Sequence, residues 1–270
     1  MPEEICRNLY RIEVPLPESP LKSLNSYVIK GKDRNLVIDT GFNRKTCLVA
    51  MQTGLSALGI DLSRTDFFIT HLHADHFGLV SRLATGTSQI FFSRPDAEIM
   101  ESWEGFEPMI AFAGKNGFPE NELRTAIEQH PGIRFGSDWM PALHILADGD
   151  RIDVGEYGFE CVETPGHTLG HNCLYEPDQR LLIAGDHILG ILHPIFNAGQ
   201  TPKTLSGIIW IVSIRFGALQ LIWFFRGTAR CFPTVHKEFR NSKITMNSDL
   251  MKFRKFLRLI PLRPMRLLPE

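Results

Sequence analysis

At 270 residues with a 43% apolar fraction, the chain can bury a sizeable core as one large domain or two small ones. Its five cysteines (Cys6, Cys47, Cys161, Cys173, Cys231) are odd in number, scattered and without a C-x-x-C, which excludes a disulfide framework and points to a reducing cytoplasm. A formal net charge of −1 hides a break: residues 1–200 hold 16 Lys and Arg against 27 Asp and Glu, whereas residues 201–270 hold 13 against 3. The acidic first part disfavours a nucleic acid or other polyanion as partner.

The N-terminus (Met1-Pro2-Glu3-Glu4) is acidic and lacks the pattern of a signal peptide. Leu9–Val14, Asn25–Ile29 and Asn35–Ile38 are β-rich runs bounded by Pro, Gly and Asp, as half-buried strands are. Asp39-Thr40-Gly41 ends the third run, and a helical pattern follows from Arg44 to Leu58, stopped by Gly59. Asp66–Thr70 reads as a buried strand, with a short helix after Gly78 and a further strand at Gln89–Ser93. Residues 95–140 are helical, aromatic and Met-rich, with Trp103, Phe106, Met109, Phe112, Phe118, Trp139 and Met140. Apolar helical periodicity ordinarily means core packing; the functional alternative is a lid over an apolar substrate pocket. Strands resume at Leu143–Leu146, Arg151–Val154, Tyr157–Glu163, Asn172–Tyr175 and Arg180–Ala184. Residues 207–225 imitate a membrane span, but Arg215 near their middle would cost about 2.5–3.5 kcal/mol in a bilayer, so a membrane partner is not expected.

His71, His73, Asp75 and His76 crowd four ionisable side chains into six positions on the loop leaving the 66–70 strand, the strand end where open α/β sheets present ligands. So many polar groups are poorly matched to a core unless something pairs with them, and a transition metal supplies that partner through neutral imidazole and carboxylate. His71 and His73 can point to one side of an extended segment, leaving Asp75 and His76 to serve a neighbouring position.

The pattern His71-x-His73-x-Asp75-His76 resembles the signature of the metallo-β-lactamase superfamily. Asp39-Thr40-Gly41 resembles that family's strand-end DTG, Thr164-Pro165-Gly166-His167-Thr168-x-Gly170-His171 its TPGHTxGH loop, and Ala184-Gly185-Asp186 its strand-end GD. The resemblance spans about residues 9–200. It implies an α+β fold, an αββα sandwich, here with a helical insertion at about 95–140. It further implies that His71, His73 and His167 bind a first metal, and that Asp75 and His76 bind a second, with Asp186 between the two. Two zinc ions are expected, with iron or manganese as alternatives. His171 and Asp39 would be supports rather than ligands, and His187 has no assigned role. The implied activity is hydrolysis of an ester, thioester or lactone bond in a small molecule by a metal-held hydroxide, with Asp75 as the catalytic residue that orients it or takes up its proton. The rival readings are a mononuclear iron dioxygenase using His71, His167 and Asp186, and an inactive metal-binding homologue.

The last reading arises because the family's final His, in a Pro-Gly-His turn after a late strand, has no counterpart. His236 in Pro233-Thr234-Val235-His236 is the nearest substitute. Residues 201–270 are therefore set apart as an atypical basic and apolar segment. Trp223–Cys231 can be encoded so that reading two bases later yields Val-Leu-Pro-Gly-His-Ser-Thr-Leu, which would make this segment an out-of-frame translation.

Overall fold

The structure, a computed structural model, describes residues 1–19 and 21–187, with the backbone of 223–225. His193, His236 and the rest of the 201–270 segment, with the expectations placed on them, lie outside the described residues. Among the described residues no helix is long and apolar enough to cross a membrane.

The first sheet has seven strands in chain order: β1 (Glu3–Cys6), β2 (Leu9–Pro15), β3 (Ser23–Ile29), β4 (Asn35–Ile38), β5 (Thr65–Phe68), β6 (Ile90–Ser93) and β7 (His144–Leu146). The first four pair antiparallel, and β4 through β7 pair parallel. Between β4 and β5 runs α1 (Lys45–Ala57), which buries Cys47, Met51 and Leu55. The second sheet holds β8 (Arg151–Val154), β9 (Tyr157–Glu163), β10 (Asn172–Glu176) and β11 (Leu181–Ile183), all antiparallel. The backbone of β12 (Trp223–Phe225) adds to its edge, parallel to β11.

Parallel strands buried on both faces read as unbroken apolar runs, because each alternate residue meets a different layer. On β4 and β5, Val37 and Phe67 join Met51, Leu55 and Phe77 in the core beneath the helices. Ile38 and Phe68 face the other way, into a second core shared with Phe159, Cys161, Leu174 and Ile183 of the second sheet. The result is an α+β sandwich with two packed sheets at its centre. Phe68 is fully buried between the sheets. Phe68→Ala should destabilise the fold by about 3–5 kcal/mol, read as a lower urea midpoint at unchanged slope.

Two sequence expectations need correction. Asp75 and His76 do not sit on a loop: Ala74–Phe77 forms a one-turn helix, α2, with His73 as its N-cap. It is followed by α3 (Val80–Leu83). The segment after β6 is helical, as α4 (Arg94–Glu101), α5 (Glu107–Lys115), α6 (Glu120–Glu128) and α7 (Pro131–Phe135), but it is not ordinary core. Trp103, Met109, Phe112, Phe118, Trp139 and Met140 are exposed, and of the apolar residues in these helices only Ala97, Ile110 and Phe135 are buried. Helices of five to nine residues each bury little, and the apolar stripe exceeds the surface offered to it.

Candidate metal centre

The chemistry-bearing residues gather where β4, β5, β6, β9 and β11 end. Asp39 follows β4 in a left-handed conformation (φ 58°), an uncommon setting for a residue with a side chain. Its carboxylate holds it there. Oδ1 accepts the Thr70 N–H at 2.9 Å, and Oδ2 lies 3.0 Å from Thr70 Oγ1 and 2.8 Å from His76 Nδ1. Next along the chain, Thr40 anchors α2 by donating its N–H (2.9 Å) and its hydroxyl (2.8 Å) to the His76 carbonyl.

These contacts fix tautomers. The Thr70 hydroxyl has one proton, which the Asp39 carboxylate attracts, so Oγ1 is left to accept from His71 Nδ1–H at 3.0 Å. His76 Nδ1–H donates to Asp39 Oδ2. In His71 Nε2 then carries a lone pair, and in His76 it does so whenever the ring is neutral. His71 Nε2 lies 2.9 Å from His73 Nδ1, and His167 Nε2 lies 3.0 Å from the same His73 atom. Three imidazole nitrogens from two loops, 94 positions apart, thus meet at one point.

Beside them, His76 Nε2 is buried without a hydrogen-bond partner. It lies 3.6 Å from Asp186 Oδ2 and 3.7 Å from Asp75 Oδ2, too far for a hydrogen bond and close enough for all three to share a cation. Asp186 Oδ2 is also 3.6 Å from His167 Nε2, so this carboxylate stands between the two clusters. Two triads, His71–His73–His167 and His71–His76–Asp186, have ligand atoms all within 4.8 Å of one another. Asp75 stands beside the second triad rather than within it, and His71 reaches both.

The electrostatics match this geometry. Burial, then the neighbouring imidazoles, holds His71 well below its ordinary pKa and takes His73 down to about 3. Burial opposes charge on His76 as well, but Asp39, Asp186 and Asp75 outweigh it and hold this pKa well above the ordinary value. Burial alone would raise Asp186, yet His76, His167 and His73 overcome it and lower it. Burial is the leading cause of a raised Asp75. Neutral His71 and His73, and a His76 Nε2 that lacks a hydrogen bond and would exchange its proton for a cation among the carboxylates, are a donor set that fits a transition-metal ion.

His171 and His187 are placed differently. Thr164 Oγ1 lies 2.7 Å from His171 Nδ1, and His171 Nε2 accepts the backbone N–H of Asp186 at 3.2 Å. The ring therefore aims the Asp186 loop and is not itself within either triad. Gly185 has φ +48°, and a Cβ there would lie 2.8 Å from His171 Nε2, so the close approach requires glycine. The His187 ring packs 5.9 Å from that of His171, and burial lowers its pKa to about 4.

Two residues of the site, Thr70 and Asp96, were not singled out from the sequence. Asp96, in the first turn of α4, is fully buried and accepts hydrogen bonds from both His-bearing loops. The available signal was the Ser93-x-x-Asp96 spacing at a helix start, where Ser93 caps the Asp96 N–H.

The open side of the centre is framed by half-buried His73, Asp75 and His167 and by exposed Leu169. The last helix of the insertion is anchored to the segment that follows Asp39: Phe135 of α7 packs on Phe42 at 5.0 Å, and its carbonyl accepts the Asn43 N–H.

A two-sheet sandwich with paired His and carboxylate clusters at its strand ends defines a class of metal-site hydrolase folds. The chain matches the description "Metallo-beta-lactamase superfamily" over residues 21–267 and belongs to that family. It is 29% identical over 175 residues to an uncharacterized protein of Aquifex aeolicus, an alignment covering 63% of this chain and 68% of that one. It is 24% identical over 172 residues to the human acyl-coenzyme A thioesterase MBLAC2, covering 60% of this chain and 57% of the relative's length. Among solved structures, a metallo-beta-lactamase family protein of Thermus thermophilus superposes with a TM-score of 0.73 at 23% identity, covering 92% of this chain and 82% of that one.

Proposed function

We propose that the chain is a metal-dependent hydrolase of an ester, thioester or lactone bond in a small molecule, holding two metal ions, zinc in the first instance. The observation that carries this reading is the meeting of His71 Nε2, His73 Nδ1 and His167 Nε2 beside the unpartnered His76 Nε2. His71, His73 and His167 would hold one ion, and His76 and Asp75 the other, with Asp186 between them. When bound, such ions supply water of lowered pKa, near 7, and polarise the oxygen of the acyl group under attack.

The chain's own residues do the rest. Asp39 and Thr70 keep His71 and His76 in the tautomers that turn Nε2 toward the centre, and His171 aims Asp186. Asp75, on the open side, is placed to orient the attacking water and take its proton on a carboxylate oxygen as the new C–O bond forms. That proton then passes to the departing thiolate or alkoxide as the scissile C–S or C–O bond breaks. The acidic surroundings and exposed apolar side chains of the insertion favour an acyl or aromatic substrate over a nucleic acid. The thioesterase named among the relatives supports the same class.

Leu169, 47% exposed beside His167, offers an acyl chain its first apolar contact. Leu169→Ser should raise KM for a medium-chain acyl thioester about 5-fold, the loss of about 1 kcal/mol of apolar burial, with kcat unchanged. Equal KM values for acetyl and medium-chain thioesters in both proteins would count against apolar recognition. The function itself is tested by assaying ester, thioester and lactone panels after chelation and after zinc, manganese or iron is restored. One iron per chain with oxygen consumption would favour the dioxygenase chemistry instead.

A further inference from the structure

The two loops that carry the first triad have no covalent or ladder connection at their tips, yet His71 and His73 must meet His167 to within about 3 Å. A backbone bond from the Asn172 N–H to the Thr70 carbonyl (2.9 Å) joins their bases, and among the described residues the side chain that bridges them nearer the tips is one carboxylate. Asp96 Oδ2 accepts the N–H of Leu72, the residue between His71 and His73, at 2.9 Å. The same oxygen accepts the Thr168 hydroxyl at 2.8 Å, and Oδ1 accepts the Gly170 N–H at 2.8 Å, from the loop following His167. Asp96 is fully buried, and each of these donors would be left unsatisfied without it. Gly170 is shaped to this contact: a Cβ there would lie 2.1 Å from Ser93 Oγ and 2.6 Å from the Asp96 nitrogen.

We infer that Asp96 is a positioning residue for metal binding, a latch that sets the distance between the His71–His73 loop and the His167 loop without touching the metal. A carboxylate is the side chain suited to this place, because it accepts on both oxygens and can satisfy three donors at once. Asparagine keeps the shape but turns an N–H₂ toward either the Gly170 amide or the Leu72 amide, so one of these two donors loses its acceptor. The inference rests on the metal-centre reading above.

The test is zinc binding by the full chain, measured by chelator competition, alongside the melting temperature of the metal-free protein and hydrogen exchange at the Leu72 and Gly170 amides. Asp96→Asn should bind zinc about 10–100-fold more weakly than the wild type, with one of the two amides losing protection and metal-free melting little changed. Thr168→Val, which removes one donor and preserves the shape, should weaken zinc binding less. It should add nothing further in the Asp96→Asn background, because both act through one latch. An unchanged zinc affinity in Asp96→Asn, or a fall in metal-free melting with zinc affinity intact, overturns the latch while leaving the metal centre standing. Failure of the wild type to bind zinc overturns both.

Discussion

His73→Ala should remove one metal ion per chain and lower kcat/KM by about 10³-fold or more, equivalent to about 4 kcal/mol of transition-state stabilisation. The size follows from position: His73 Nδ1 is the atom that both His71 Nε2 and His167 Nε2 approach, at 2.9 and 3.0 Å. Its loss leaves two imidazoles with no third donor between them. The fold should tolerate the change. His73 is half-buried, and its pKa near 3 reflects burial and crowding by other imidazoles rather than a stabilising partner. Metal content by mass spectrometry, kcat/KM and metal-free melting separate these effects. Full metal content in the variant would show that His73 is not a ligand.

The second large effect is expected at Asp186. Its Oδ2 lies 3.6 Å from both His76 Nε2 and His167 Nε2, so one carboxylate faces both clusters. Asp186→Asn keeps the shape and removes the charge. It should weaken retention of both ions and lower kcat/KM at least 10²-fold, roughly the scale of losing one electrostatic stabiliser at a reaction centre. The metal-free protein gives an independent check through pH. His76 is raised above its ordinary 6.5, so its pairing contributes below that value and is lost as pH rises through the folded pKa. Asp186 is lowered below its ordinary 3.8, so its contribution is present above that value and is lost as pH falls through the folded pKa. The stability cost of Asp186→Asn in the metal-free chain should therefore be greatest between about pH 4 and 7 and fade on both sides. A cost independent of pH would mean that the carboxylate is not paired with His76.

Much of this was legible in the sequence because its signals are local. Strand runs such as Asn35–Ile38 and the helix over 45–57 declare themselves by apolar period and by the turn residues that bound them. The His71–His76 cluster is compressed into six positions, so chemistry and sequence coincide. Asp96 was not legible in the same way. Its partners at Leu72, Thr168 and Gly170 are 24 to 74 positions away, and an acidic residue at the start of a helix is ordinarily read as a match to the helix dipole. The first strand, Glu3–Cys6, was missed for a related reason: it is a charged edge strand with little burial, formed by pairing with β2 rather than by its own pattern. The insertion misled in the opposite sense. Its aromatics have the spacing of core residues, but Trp103, Phe112 and Phe118 face outward because no described layer packs over them. For the 201–270 segment, the out-of-frame reading is tested by the coding DNA across residues 201–231: a shifted frame without Pro-Gly-His would end it.

Metal content of the full chain, purified without chelators and correlated with thioester and ester hydrolysis, tests the central claim most directly. The geometry of the two triads predicts about two zinc ions per chain, with turnover lost on chelation and recovered on zinc addition. A chain that retains no metal and gains no turnover with zinc, manganese or iron would contradict it.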